Sequence, residues 1–149
     1  MVNGDNADYS NFLKPYHGVR IFLNNGKNQF SEKWFYPING ATRIVSEDFD
    51  KDGDLDLAVL AFFPDFANDS ENGFTYLENQ NAVNYEFNAY SIDMAKRGNW
   101  LVMDTGDIDD DGDADIILGN FHMLAPDDEI QASEFDVVIL KNQQVAKEE

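Results

Sequence analysis

Short apolar runs alternate with polar stretches rich in glycine and aspartate along the whole chain. Leu57-Ala58-Val59-Leu60-Ala61-Phe62 is an unbroken run of six, whereas Ile116-Ile117-Leu118, Ile21-Phe22-Leu23, Thr75-Tyr76-Leu77 and Val138-Ile139-Leu140 are shorter and rich in β-branched and aromatic residues. Runs of this length, bounded by Gly, Asp and Pro, predict strands rather than buried helix segments. The pattern places strands over 19–23, 30–36, 42–47, 55–62, 74–79, 85–92, 100–105, 114–121 and 135–142. The run at 55–62 is apolar on both faces, which suits a strand covered by neighbours on each side.

Several landmarks recur. Asp48-Phe49-Asp50-Lys51-Asp52-Gly53-Asp54-Leu55-Asp56 returns 59 residues on as Asp107-Ile108-Asp109-Asp110-Asp111-Gly112-Asp113-Ala114-Asp115. Phe62 and Phe121, each just beyond the apolar run that follows, keep the same spacing. A Leu-x-Asn triplet ends three strands, at Leu23-Asn24-Asn25, Leu77-Glu78-Asn79 and Leu140-Lys141-Asn142. A repeat of about 60 residues built from short strands predicts the blades of a β-propeller, because helical solenoid repeats are shorter and carry a 3.6-residue period. The expected architecture is therefore all-β: four-stranded antiparallel meanders, strands A to D, forming a single partial propeller of about two to two and a half blades over 1–149. Residues 1–40 would end one blade, 41–92 would make a complete one and 93–149 an incomplete one. Val2-Asn3-Gly4 reads as the tail of a strand B, so the open edges call for further blades or self-association.

Composition narrows the partners. The formal charge is −19 over 149 residues, and eleven acidic residues lie in the two nine-residue aspartate stretches. Nucleic acid and anionic membrane surfaces are poor partners for such a field. An apolar content of 43% and an aromatic content of 13% argue against acidic disorder. The chain has no cysteine, hence no disulfide framework and no thiol chemistry. No apolar run approaches a membrane span, and the N-terminal residues lack the pattern of an export signal.

Each aspartate stretch reads D-x-D-x-D-G-x-x-D. Carboxylates at positions one, three, five and nine form an oxygen cage for a hard divalent cation, and the Gly at six supplies a positive φ that lets the chain fold back. Position seven would add its backbone carbonyl, and calcium suits such a flexible all-oxygen shell better than magnesium. The plain alternative is a solvated Asp/Gly turn. Two copies in one register, each followed by an apolar run, favour the cage. An EF-hand is excluded, since its twelfth position would fall on Val59 and Leu118 and helices would have to follow.

The cage motif with its apolar sequel, together with Leu-x-Asn, resembles the FG-GAP/VCBS repeat family, which includes the propeller of integrin α subunits and many exported bacterial proteins. The resemblance runs from about Val19 to Asn142. It implies calcium in each A–B turn: one ion on the side chains of Asp48, Asp50, Asp52 and Asp56 with the Asp54 carbonyl, the other on Asp107, Asp109, Asp111 and Asp115 with the Asp113 carbonyl. It also implies an extracellular, cell-surface or periplasmic location, with the export signal outside this chain.

In such a meander the A–B and C–D turns share one rim, and the long B–C connections at 3–17, 63–72 and 122–134 share the other with the D–A turns. Tyr9, Phe12, Tyr16, Phe66, Phe121 and Met123 would gather near that second rim, either as a contact surface for a protein or glycan or as packing at the loop bases. The favoured function is a calcium-stabilised binding, adhesion or scaffolding module that is not an enzyme. The alternative is the propeller domain of an extracellular lyase or hydrolase, with His17 and His122 near Asp127, Asp128 and Glu129 on the loop rim. A purely architectural spacer is a third class.

Overall fold

The computed structural model describes residues 1–4, 13–65, 68, 73–121 and 135–143. Ten strands are described, in three antiparallel sheets. The first sheet has the order β1 (Val2–Asn3), β2 (Gly18–Asn24), β3 (Phe30–Pro37). The second is a full meander of β4 (Ala41–Glu47), β5 (Asp56–Ala61), β6 (Phe74–Asn81) and β7 (Glu86–Tyr90). The third joins β8 (Trp100–Gly106), β9 (Asp115–Asn120) and β10 (Val137–Leu140), with β9 in the middle. The fold is all-β, built of partial propeller blades. Strand β4 contacts both β8 and β1, so neighbouring sheets meet along it.

Strand β5 shows how the sheets stack. All six of its residues are buried. Alternate side chains of a strand point to opposite faces. Ala58 and Leu60 therefore pack with Phe74, Trp100, Met103, Ile116 and Leu118 toward the third sheet. Leu57, Val59 and Ala61 pack with Val19, Ile38 and Leu77 toward the first. The unbroken apolar run thus feeds two separate cores, one on each side of the central sheet. The 59-residue landmark has a packing role too: Phe62 and Phe121 meet edge to face with ring centroids 5.7 Å apart.

Strand positions agree with the sequence reading to within a few residues at each end, and three differences have physical causes. The connection between β7 and β8 contains a short 3-10 helix, Asp93–Arg97, which the hydrophobic pattern does not signal. Ala95 is its single buried residue, and the Trp100 indole N–H donates to the Met94 carbonyl at 3.2 Å. Strand β10 stops at Leu140 rather than 142, because the Asn142 N–H is drawn to the Asp115 carboxylate. Strand β6 runs on to Asn81, whose side chain then caps the following turn by accepting from Val83 and Asn84 N–H.

The outer face of the third sheet is apolar and open to solvent, with Val102, Val137 and Ile139 exposed at 60%, 55% and 44%. Tyr9, Phe12, Phe66, Met123 and His122 lie outside the described residues, as do Asp127, Asp128 and Glu129. Among the described residues no helix is long and apolar enough to cross a membrane.

Candidate metal centres

Both aspartate stretches are the turn from one strand to its antiparallel partner, β4 to β5 and β8 to β9. They share a backbone plan. Gly53 and Gly112 adopt φ values of 98° and 88°, as the motif requires. A Cβ on either glycine would meet nothing within 4 Å, so conformation rather than space demands the glycine. Position four is also left-handed, at Lys51 (φ 57°) and Asp110 (φ 61°), which the sequence reading misses. Aspartate tolerates that region better than most residues; lysine at Lys51 carries more strain.

The first carboxylate of each turn is held alike. Asp48 accepts from the Asp52 and Gly53 N–H groups, both at 3.1 Å. Asp107 accepts from Asp111 and Gly112 N–H at 3.1 and 3.0 Å. In the first turn, carboxylate oxygens of Asp48, Asp50 and Asp52 lie within 4.8 Å of one another. In the second, the convergent set is Asp107, Asp109 and Asp115. Asp54, Asp56, Asp111 and Asp113 stand outside these sets. Asp54 Oδ1 is buried and has no hydrogen-bond partner among the described residues.

The ninth-position aspartates have a further role. Asp56 is fully buried. Its carboxylate accepts from the Phe49 N–H at 3.2 Å, the Tyr76 hydroxyl at 2.7 Å and the Asn79 N–H at 2.8 Å. Asp115, equally buried, accepts from the Ile108 N–H at 3.0 Å and the Asn142 N–H at 2.8 Å. Each ties its turn to the end of the third strand of the sheet, and an ionised carboxylate has about four acceptor positions, so about one remains for a cation on Asp56 and about two on Asp115. This explains Leu-x-Asn: Asn79 and Asn142 close the turn from across the sheet. The sequence displays the triplet, but its partner lies 23 residues away in one blade and 27 in the other, so no fixed spacing announces the pair.

Crowded negative charge leaves its mark on acidity. Partial burial pushes the Asp50 carboxyl above the ordinary range; the Asp52 N–H pulls it back, and the charges of Asp52, Asp56 and Glu78 add to the rise. Asp54 is raised by desolvation, then by Asp52, Asp56 and Asp48. The Tyr76 hydroxyl is held far above its usual value by burial and by its bond to Asp56, so it stays a donor. The second turn instead has a cation beside it: Lys141 Nζ lies 2.9 Å from Asp109 Oδ2. That hydrogen bond and charge raise the lysine pKa.

The donor set fits a hard divalent cation. It is all oxygen, it converges, and it sits where backbone N–H groups fix its first member. His17 does not join any such set. It is buried, and its Nδ1 accepts from the Gly40 N–H at 3.3 Å.

No curated protein and no solved structure matches the chain. The FG-GAP-like repeat model matches residues 2–59, from β1 through most of β5. The match takes in the whole first aspartate turn and ends before the second. Residues 2–59 are thus similar to an FG-GAP-like repeat, in agreement with the FG-GAP/VCBS resemblance of the first aspartate turn.

Proposed function

We propose that each aspartate turn holds a structural Ca²⁺ ion and that the chain is a calcium-stabilised binding, adhesion or scaffolding module of an exported protein. The observation that carries this reading is the convergence of three carboxylates in both turns, at equivalent positions of two blades. Like charges about 4 Å apart repel by roughly 1 kcal/mol in water and about 4 kcal/mol near a protein surface. A bound cation inverts that term. Asp48, Asp50, Asp52 and Asp56 would hold one ion, and Asp107, Asp109, Asp111 and Asp115 the other, with the carbonyls of Asp54 and Asp113 completing the shells. The ion would clamp the strand-to-strand turn, a role that needs no access for substrate.

In an exported setting an affinity of about 10⁻⁴ to 10⁻³ M would be enough, as for other extracellular calcium modules. The partner surface would lie at the rim opposite the metal turns. There Phe63 and Phe121 are exposed at 38% and 45% and Phe62 packs on both. The open face of the third sheet would accept a further blade, from the same polypeptide or a second copy. His17 serves the packing beneath that rim, so a lyase or hydrolase reading gains no support from it.

Calorimetric titration of chelator-stripped protein should show two calcium sites. Metal at 100 times its Kd adds about 2.7 kcal/mol per site, and each kcal/mol moves the melting temperature of a chain this size by about 2–4 °C. With both sites filled, chelation should therefore lower the melting temperature by roughly 10–20 °C. An unchanged melting curve with no heat of binding refutes the reading.

A further inference from the structure

Among the differences between the two turns, one concerns the metal directly. Asn79 and Asn142 each donate their backbone N–H at 2.8 Å to the ninth-position aspartate of their own turn. The residues preceding them, Glu78 and Lys141, therefore stand in the same register beside the two turns. Glu78 accepts from the Tyr90 hydroxyl at 2.9 Å and adds negative charge near the first turn. Lys141 places its ammonium 2.9 Å from Asp109 Oδ2, an oxygen of a residue in the convergent set of the second turn. Its side chain is half exposed, so the long stem is free to swing aside.

Building on the calcium reading above, we propose that Lys141 is a tethered competitor for the second metal site, making that site the weaker of the two. A divalent ion entering the second turn must displace the ammonium from Asp109 or share the oxygen with it at close range. The first turn carries an anion at the matching position and meets no such competition. The total charge of the surroundings does not separate the sites, because Lys51 within the first turn corresponds to Asp110 in the second. What separates them is which position bears the cation: Lys51 belongs to the exposed left-handed corner, whereas Lys141 lies on a carboxylate of the convergent set. As calcium rises, the first turn fills before the second.

The test is a calcium titration followed at the backbone amides of Gly53 and Gly112, which report the two turns separately, on the wild-type chain and on Lys141→Gln, Lys141→Glu and Lys141→Arg. Removing one unit charge at this range should tighten the Gly112 site on the order of tenfold and leave the Gly53 site alone. Lys141→Glu should tighten it at least as far, and Lys141→Arg should keep the wild-type affinity. An unchanged or weakened Gly112 site in Lys141→Gln overturns the role of Lys141 while leaving the calcium reading intact. Absence of any calcium response at either glycine in the wild type overturns both.

Discussion

The two aspartate turns share a nine-residue plan, yet they occupy different surroundings. The first is roofed by the neighbouring sheet: Phe49, at its second position, is 6% exposed and packs with Trp100, Met103, Ile116 and Leu118. The corresponding Ile108 is 44% exposed, because no described strand covers that side of the third sheet. The Asn142 side chain adds a link, donating to the Phe49 carbonyl at 2.7 Å from the next blade. Asn79, its counterpart, donates at 3.1 Å to Leu55 within its own turn. One local sequence therefore yields a buried clamp and an open one, according to what lies alongside.

The sharpest way to break this comparison is to truncate the second position of each turn. Phe49→Ala should cost about 3–5 kcal/mol, the usual range for a buried aromatic. Ile108→Ala should cost about 1 kcal/mol or less, in keeping with an exposed position. Urea unfolding measures both. Equal losses would show that the second turn is roofed as well.

Removal of the ninth carboxylate comes next. Asp56→Ala strands three donors, those of Phe49, Tyr76 and Asn79, whereas Asp115→Ala strands two. Each buried unsatisfied group costs about 1–3 kcal/mol, so Asp56→Ala should destabilise by about 3 kcal/mol or more and Asp115→Ala by roughly two thirds as much. The unfolding is measured in chelator so that metal loss does not enter. The reverse order would mean that relief of carboxylate repulsion in the first turn outweighs the hydrogen bonds lost with Asp56.

Both turns, their strand partners and the two-faced burial of 57–61 are legible in the sequence because they follow from local pattern: Gly at a fixed offset, carboxylates at alternate positions, unbroken apolar residues. Other features depend on contacts between distant segments. The bond from Asp56 to Tyr76 and Asn79, the Lys141–Asp109 pair and the roof over Phe49 join residues whose separation no periodicity fixes. The helix at Asp93–Arg97 escapes notice because five residues with one buried side chain make no hydrophobic period.

A smaller effect separates the fifth positions. Asp52 belongs to the convergent set of the first turn, whereas Asp111 stands outside that of the second. Asp52→Ala should abolish calcium binding at the first turn, and Asp111→Ala should weaken the second by less, both read from the stoichiometry and affinity of a calcium titration. In both variants the other site should persist. Loss of both sites in Asp52→Ala would mean that the blades are coupled more tightly than a shared core requires.

The weakest expected coupling between the turns runs through Asn142. Its backbone N–H serves Asp115 in the second turn, and its Nδ2 serves the Phe49 carbonyl in the first, so one residue touches both. Asn142→Ala keeps the backbone bond and removes only the side-chain one. The loss should be about 1 kcal/mol, the net worth of a single neutral hydrogen bond. It should appear in the first turn although the substitution lies in the third sheet: amide exchange at Asp52 and Gly53, whose N–H groups bond to Asp48, should quicken. Asn79→Ala removes the Nδ2 bond to the Leu55 carbonyl and the bond its Oδ1 accepts from the Asn81 N–H, neither of which reaches the second turn, and should leave exchange at Asp111 and Gly112 unchanged. If Asn142→Ala instead loosened only the second turn, the link to Phe49 would carry no energy, and the roof over the first turn would rest on apolar packing alone.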